Sequence, residues 1–338
     1  MGATSTTFSR SALHLDAARE VERIAEAIRA AVFGTMKRKG AVLGVSGGID
    51  SSVCAALCAR ALGPERVTGL LMPEADSAPE TTDFGALAAR SLGIRTVFED
   101  ITPILEAAGC YMRRDAAIRE VVPDYTPACK SKIVLPNMLD GDSYRLFSVV
   151  VQYPDGTHAR ARLTSDAYLG ILAATNFKQR VRKMMEYHYA DRLQAAVVGT
   201  PNRLEYDQGF FVKLGDGAAD LKPIAHLYKT QVYQLAEYLG VPDAIRQRPP
   251  TTDTYSLSQS QEEFYFSVPF DTLDLCLFGL NHGVAASEVA PTVALTSEQV
   301  ERIYRDIAAK RKVAEYLHSP PMLVEEMRTR GNVEHAGA

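Results

Sequence analysis

Apolar residues recur along this chain with two periods. From Asp16 to Lys39, Val21, Ile24, Ile28 and Val32 fall on one stripe at three- and four-residue intervals, which predicts an amphipathic helix. A short apolar run, Ala41–Val45, reads as a buried strand, and Ser51–Leu62 as the helix after it. The alternation repeats with strand Val67–Met72 and helix Glu80–Leu92, then strand Arg95–Glu99 and helix Thr102–Ala108, and a later strand at Ala195–Val198. This βαβα order predicts an α/β fold, a doubly wound parallel sheet with helices on both faces. Ligands of such folds bind beyond the carboxyl ends of the strands, where the strand order reverses.

Two stretches break the pattern. Gly109–Asp166 reads as an inserted segment whose β-rich runs flank Pro154-Asp155-Gly156, which predicts a hairpin pairing Arg145–Tyr153 with Thr157–Leu163. Thr200–Pro223 reads as a long polar loop with an aromatic and charged mixture, the kind that carries function. No internal repeat is visible. One domain over residues 1–330 is expected, with 331–338 a disordered tail.

Composition narrows the class. A chain of 338 residues with 46% hydrophobic and 23% charged residues can bury a full core. A net charge of −4 gives no polyanion-binding signature, so no nucleic-acid partner is expected. No apolar run approaches the ~18 residues of a membrane span, and the N-terminus lacks the apolar core of a signal peptide. The five cysteines, Cys54, Cys58, Cys110, Cys129 and Cys276, form no CxxC pair or disulfide framework, which points to a reducing, cytoplasmic setting.

The candidate chemistry starts where the first strand ends. Ser46-Gly47-Gly48-Ile49-Asp50-Ser51-Ser52 joins strand to helix. Unsatisfied backbone N–H groups at such a helix start suit a phosphate, glycines let the backbone come close, and the serine hydroxyls add donors. A carboxylate at Asp50 would repel phosphates unless it holds a Mg²⁺ that they share. There is no Walker lysine and no G-x-G-x-x-G. The run Ser46–Ser51 resembles the pyrophosphate loop of ATP pyrophosphatases, whose fold is of the adenine nucleotide α-hydrolase type. A plain Gly-Ser turn between core elements is the ordinary alternative.

Downstream, Asn176–Asp191 is a basic helix with Lys178, Arg180, Arg182 and Lys183, for which a solvated face packed through Val181, Met184 and Met185 is the ordinary expectation. Glu205 follows the strand ending at Val198, as Asp50 follows the first, so two carboxylates at neighbouring strand ends can share one hard cation. A surface glutamate in a loop is the alternative. Asp216 and Asp220 lie in one turn, and Lys229 opens the next helix, where a cation can face separating phosphates.

Taken in order, Ser46–Ser52, Asn176–Arg182, Gly199–Glu205, Phe211–Thr230 and Arg248–Asp253 resemble the NAD⁺ synthetases. The resemblance implies ATP-dependent amidation of deamido-NAD⁺ through an acyl-adenylate, with release of AMP and pyrophosphate. It implies that Gly44, Val45, Ser46, Gly47, Gly48, Ile49, Asp50 and Ser51 hold ATP with Thr200, Lys229 and Thr251, and that Asp50 and Lys229 are catalytic. Asp50 and Glu205 would bind Mg²⁺, and Arg180, Lys213 and Asp220 would contact deamido-NAD⁺. A homodimer with the dinucleotide at the subunit interface is implied. With only about 40 residues before the phosphate strand, no upstream glutaminase domain is expected. Free ammonia, or ammonia from a separate glutaminase, is the nitrogen source implied.

Three departures concern the substrate rim. Gly109–Asp166 is longer than the resemblance expects, Ser256–Phe266 keeps only Glu262 and Glu263 of an acidic loop, and Leu317-His318-Ser319 replaces a basic C-terminal cluster. His318 is either a remnant of that cluster or an ordinary surface histidine. A paralogue that amidates another carboxylate would keep Asp50, Glu205 and Lys229 but need not keep Arg180, Lys213 and Asp220. A non-catalytic nucleotide-binding protein would have little reason to hold both Asp50 and Glu205 together with Lys229.

Overall fold

The computed structural model describes residues 8–135, 147–251 and 254–325, with Glu262 and Glu263 described by backbone alone. The expected start of the hairpin at Arg145, the acidic side chains at 262 and 263, and the expected tail at 331–338 lie outside the described residues.

The chain opens with α1 (Ala17–Arg29), capped by Asp16, whose carboxylate accepts from the Arg19 N–H at 3.1 Å. Val21, Ile24 and Ile28 are buried, as the stripe predicts, and a π-helical turn over Ala30–Thr35 carries it on to Val32. Four parallel strands then form the main sheet: β1 (Ala41–Gly44), β2 (Val67–Leu71), β3 (Arg95–Phe98) and β7 (Ala196–Val197). Their order is β3-β2-β1-β7. The chain steps outward from β1 through β2 to β3, then returns to place β7 on the other side of β1, so the order reverses between β1 and β7.

Alternation along β1 sends its side chains to two cores. Ala41, Leu43 and Val45 pack with α1, α2 (Ile49–Leu62), α3 (Pro79–Leu92) and α8 (Lys229–Tyr238). Val42 joins Leu70 and Val197 against α4 (Thr102–Ala107), α5 (Cys110–Arg119) and α6 (Ser165–Leu193). Both faces of β1 and β2 are covered, which is why these strands read as nearly continuous apolar runs, whereas the edge strand β3 is largely exposed. Cys54 and Cys58 are fully buried in the first core, packing α2 as small apolar residues.

The hairpin forms as expected, with β5 (Ser148–Gln152) paired antiparallel to β6 (His158–Arg162), and Gly156 taking φ +85° in its turn. Two elements of this region were not foreseen. β4 (Lys130–Val134) pairs with β5 to make a three-stranded sheet, and α5 precedes it. Val149 and Val151 pack on Ile118 of α5 and Ile171 of α6, so the added sheet is anchored on the main domain. The stretch read as a long loop contains a short helix, α7 (Arg203–Gln208). After α9 (Asp243–Arg246), helices α10 (Phe270–Asn281), α11 (Ala286–Val293) and α12 (Ser297–His318) pack as a separate apolar cluster.

Candidate active site

The loop after β1 is tight for a reason legible in its contacts. Gly47 has φ +70°, and a Cβ there would lie 2.4 Å from the Phe84 Cβ and 2.7 Å from the Gly85 nitrogen of α3. Gly85 in turn has the Val45 carbonyl 2.5 Å from its own would-be Cβ. Facing glycines therefore bring α3 onto the loop. Inside the loop, Ser51 and Ser52 donate to the Gly48 carbonyl at 3.0 and 2.8 Å. Both hydroxyls thereby brace the first turn of α2. The N-terminus of α2 is left pointing at a cavity.

Asp50, in the first turn of α2, meets residues from two other segments. It forms an ion pair with buried Lys229 at the start of α8, and accepts from the Asn202 side-chain amide at 3.0 Å. Asn202 caps α7, taking the Glu205 N–H at 3.2 Å, while the Glu205 carboxylate takes the Asn202 N–H at 3.0 Å. Gln261 donates to the other Glu205 oxygen at 3.0 Å. This capping box is what turns Glu205 toward Asp50. Burial, reinforced by the Asp50 charge and only partly offset by Lys229 and the hydrogen bonds, pushes the Glu205 carboxyl up to about 8. Burial alone would lower Lys229, but the carboxylates of Asp50 and Glu205 hold its ammonium above the usual lysine range. Two carboxylates whose charges act on one another form a site that a hard divalent cation would relieve, and one or two carboxylates plus substrate phosphates is the usual set for Mg²⁺.

Lys229 is itself positioned from behind. Asp274 of α10, fully buried, accepts the Lys229 and Thr230 N–H groups at 3.2 and 2.7 Å and so caps α8. Burial raises its carboxyl to about 7 despite those bonds. Asp274→Ala is expected to cost about 1–2 kcal/mol in urea unfolding and to lower kcat by loosening Lys229. An unchanged kcat would show that Asp50 alone places the lysine.

The cavity has a volume of about 780 Å³, in the range of ligand sites. Every position from Gly44 to Ser51 except Gly47 lines it, as do Thr200, Glu205, Lys229 and Thr251. Arg180 and Lys213 also reach its wall. Lys213, however, is engaged there: its ammonium donates to the Tyr316 carbonyl at 2.6 Å and to the Ser319 carbonyl and hydroxyl, closing the end of α12 onto the rim. Asp220 stands apart. It is exposed, accepts from the Val197 N–H at 2.8 Å and the Tyr187 hydroxyl at 3.2 Å, and does not line the cavity. His318 tucks against the Tyr206 and Phe211 rings and bonds the Tyr206 carbonyl at 2.8 Å.

The basic helix departs from the solvated face expected of it. Lys178 and Lys183 are buried while Met184 is exposed. Lys178 spends its three donors on Glu74 at 2.9 Å, Asp76 at 2.6 Å and the Thr254 carbonyl at 2.7 Å. Arg114 of α5 holds Asp76 from the far side and pairs with Asp115. This buried lattice ties the β2–α3 loop and the segment around Thr254 to α6. The available signal was phase: Lys178 falls three residues from Thr175 and from Val181, both on the buried stripe.

Comparison with known proteins agrees with this geometry. Residues 20–122 and 154–314 match the family described as NAD synthase, leaving out 123–153, the stretch that carries β4 and β5. The NH(3)-dependent NAD(+) synthetase of Rhizobium meliloti (strain 1021) is 59% identical over 318 residues, covering 94% of this chain and 95% of that one. Among solved structures, the NMN synthetase of Francisella tularensis superposes with a TM-score of 0.64 at 21% identity, over 92% of this chain and 99% of the other. The NH3-dependent NAD synthetase of Campylobacter jejuni subsp. jejuni NCTC 11168 gives 0.60 at 21%, over 92% and 100%. At those identities the structures speak for the fold, and the sequence matches speak for the lineage. This chain belongs to the NAD synthase family.

Proposed function

We propose that Asp50, Glu205 and Lys229, gathered at the strand-order reversal, carry out the ATP-dependent amidation of deamido-NAD⁺ to NAD⁺ with ammonia. The observation that carries this reading is the cluster itself: a loop-borne carboxylate, a second carboxylate turned toward it by a capping box, and a buried lysine at a helix start, all facing one cavity. A carboxylate is a poor electrophile, so its oxygen attacks the α-phosphorus of ATP and gives an acyl-adenylate and pyrophosphate. Ammonia then attacks the activated carbonyl, and AMP leaves. The N-terminal amides of α2 bind the phosphate chain, and the Lys229 ammonium stabilises charge as pyrophosphate separates. Mg²⁺, when bound by Asp50 and Glu205, supplies further charge neutralisation at the leaving group. Arg180 and Lys213 contribute positive charge on the wall where the dinucleotide lies, and Thr200 and Thr251 contact ATP. Much of the rate enhancement is positioning and charge stabilisation, without a covalent enzyme intermediate.

Two further parts of the reading have their own support. Asp220 is exposed and off the cavity of its own chain, so a dinucleotide contact through it calls for a second copy, and we infer a homodimer. Light scattering during gel filtration at micromolar concentration should give twice the monomer mass. All five cysteines are buried and free, which fits the reducing cytoplasm, and no described helix is long and apolar enough to cross a membrane.

The direct experiment supplies Mg²⁺-ATP, deamido-NAD⁺ and ammonium and measures NAD⁺ and AMP together. Equal amounts of both are expected. ATP binding without either product would redirect the search to another carboxylic acid. Glu205→Gln is expected to raise the Mg²⁺ concentration for half-maximal rate about tenfold or more, since it removes one of two charged ligands. An unchanged Mg²⁺ dependence would remove Glu205 from the metal site.

A further inference from the structure

One wall of the cavity has no part in the chemistry above. Phe147, just before β5, stacks on Tyr168 of α6 with ring centroids 4.3 Å apart and planes 15° apart. Both rings are half-buried and both line the cavity. Tyr255 and Phe264 continue the same wall, their rings 5.4 Å apart edge to face. Phe147 lies within residues 123–153, outside the family match, so this chain's added sheet supplies half of the stack.

The place of this wall along α6 says what it can hold. Residues lining the cavity recur on one face of that helix from Tyr168 to Glu186. The span between those two residues is about 27 Å at ~1.5 Å per residue. Glu186 marks the phosphate-loop end, because its carboxylate lies 3.1 Å from a would-be Cβ on Gly44. In the amidation proposed above, the pyridine carboxylate must reach the α-phosphorus at that end. The other end of a dinucleotide, beyond its pyrophosphate bridge, is an adenosine. Arg180, between the two ends, suits the bridge.

We propose that the Phe147–Tyr168 stack is a specificity subsite for the adenine of the dinucleotide substrate, built partly by the added β4–β5–β6 sheet. A planar base gains a flat, partly desolvated aromatic face there, and such stacking tolerates the loss of a hydroxyl but not of a ring. The subsite rests on the deamido-NAD⁺ reading and separates the dinucleotide from nicotinate mononucleotide, which lacks the adenosine.

The test measures kcat and KM for deamido-NAD⁺ and ATP in the wild type, Phe147→Leu, Tyr168→Leu and the ring-conserving Tyr168→Phe and Phe147→Tyr. Calorimetric affinities for deamido-NAD⁺ and nicotinate mononucleotide are measured alongside, with thermal melts to confirm the fold. Each leucine variant is expected to raise KM for deamido-NAD⁺ about tenfold or more, with kcat and KM for ATP within twofold and mononucleotide affinity unchanged. The ring-conserving variants should stay close to wild type. Unchanged KM for deamido-NAD⁺ would overturn the subsite, and so would an equal rise in KM for ATP. A matching loss of mononucleotide affinity would overturn it too, by placing the pyridine on the stack. A wild type that makes no NAD⁺ would instead overturn the deamido-NAD⁺ reading.

Discussion

Asp50→Asn is expected to lower kcat by about 10²–10³-fold while the protein stays folded. The asparagine oxygen can still accept from Asn202, so the loop keeps its 3.0 Å anchor. Its loss of charge acts in two directions on stability. Lys229 loses its ion-pair partner, while Glu205 is relieved of the neighbouring charge that helps push its carboxyl up to about 8. These changes oppose each other, so a net cost of about 1 kcal/mol in urea unfolding is expected. Catalysis has no such compensation, because a neutral amide is a poor ligand for a hard cation and does not hold the Lys229 ammonium toward the phosphates. Pyrophosphate release in a single turnover, measured beside the urea midpoint, separates the two effects. Near-normal release in a folded variant would remove Asp50 from the machinery.

Lys178→Met should show the opposite balance, a loss of about 3–5 kcal/mol of stability from a residue that touches no reacting atom. Its ammonium is fully buried and serves Glu74, Asp76 and the Thr254 carbonyl at once. Removing it leaves the buried Glu74 carboxylate without a counter-charge, held by the Tyr111 hydroxyl at 2.7 Å and the Asp76 N–H at 3.1 Å. Asp76 keeps Arg114. The double change Lys178→Met with Glu74→Gln should therefore recover part of the loss, because the orphaned charge goes with its partner. A second readout follows from where the lattice reaches. Thr254 is close in sequence to Thr251, so KM for ATP is expected to rise in the single variant more than KM for deamido-NAD⁺. A single variant within 0.5 kcal/mol of wild type, on the order expected of surface changes, would show that the lattice contributes no net stability.

Local sequence determined the sheet and the phosphate loop. Strands Ala41–Gly44 and Val67–Leu71 are apolar because both their faces are covered, and the helix before them, Ala17–Arg29, carries a stripe and a cap that can be read without knowing its neighbours. Ser46–Ser51 is contiguous, so its meaning survives in one dimension, and Glu205 and Lys229 follow from their places after a strand end and at a helix start. The third strand of the added sheet, Lys130–Val134, was hidden because its partner β5 lies further along the sequence, and pairing rather than periodicity defines it.

What only the tertiary structure decided are the relations between distant segments. Asp274 caps α8 from α10, and Gln261 steadies Glu205 from more than fifty positions away. Lys178 looked like one charge of a solvated face because composition records charge but not the acids that the β2–α3 loop brings to meet it. Gly47 is also required by the approach of α3, which its own sequence neighbours do not show. Short-range preference acts on neighbours in the chain, whereas burial and ion pairing act on neighbours in space. The first sufficed to single out the loop proposed to bind phosphate, and the second was needed to show what holds that loop, its lysine and its second carboxylate in one place.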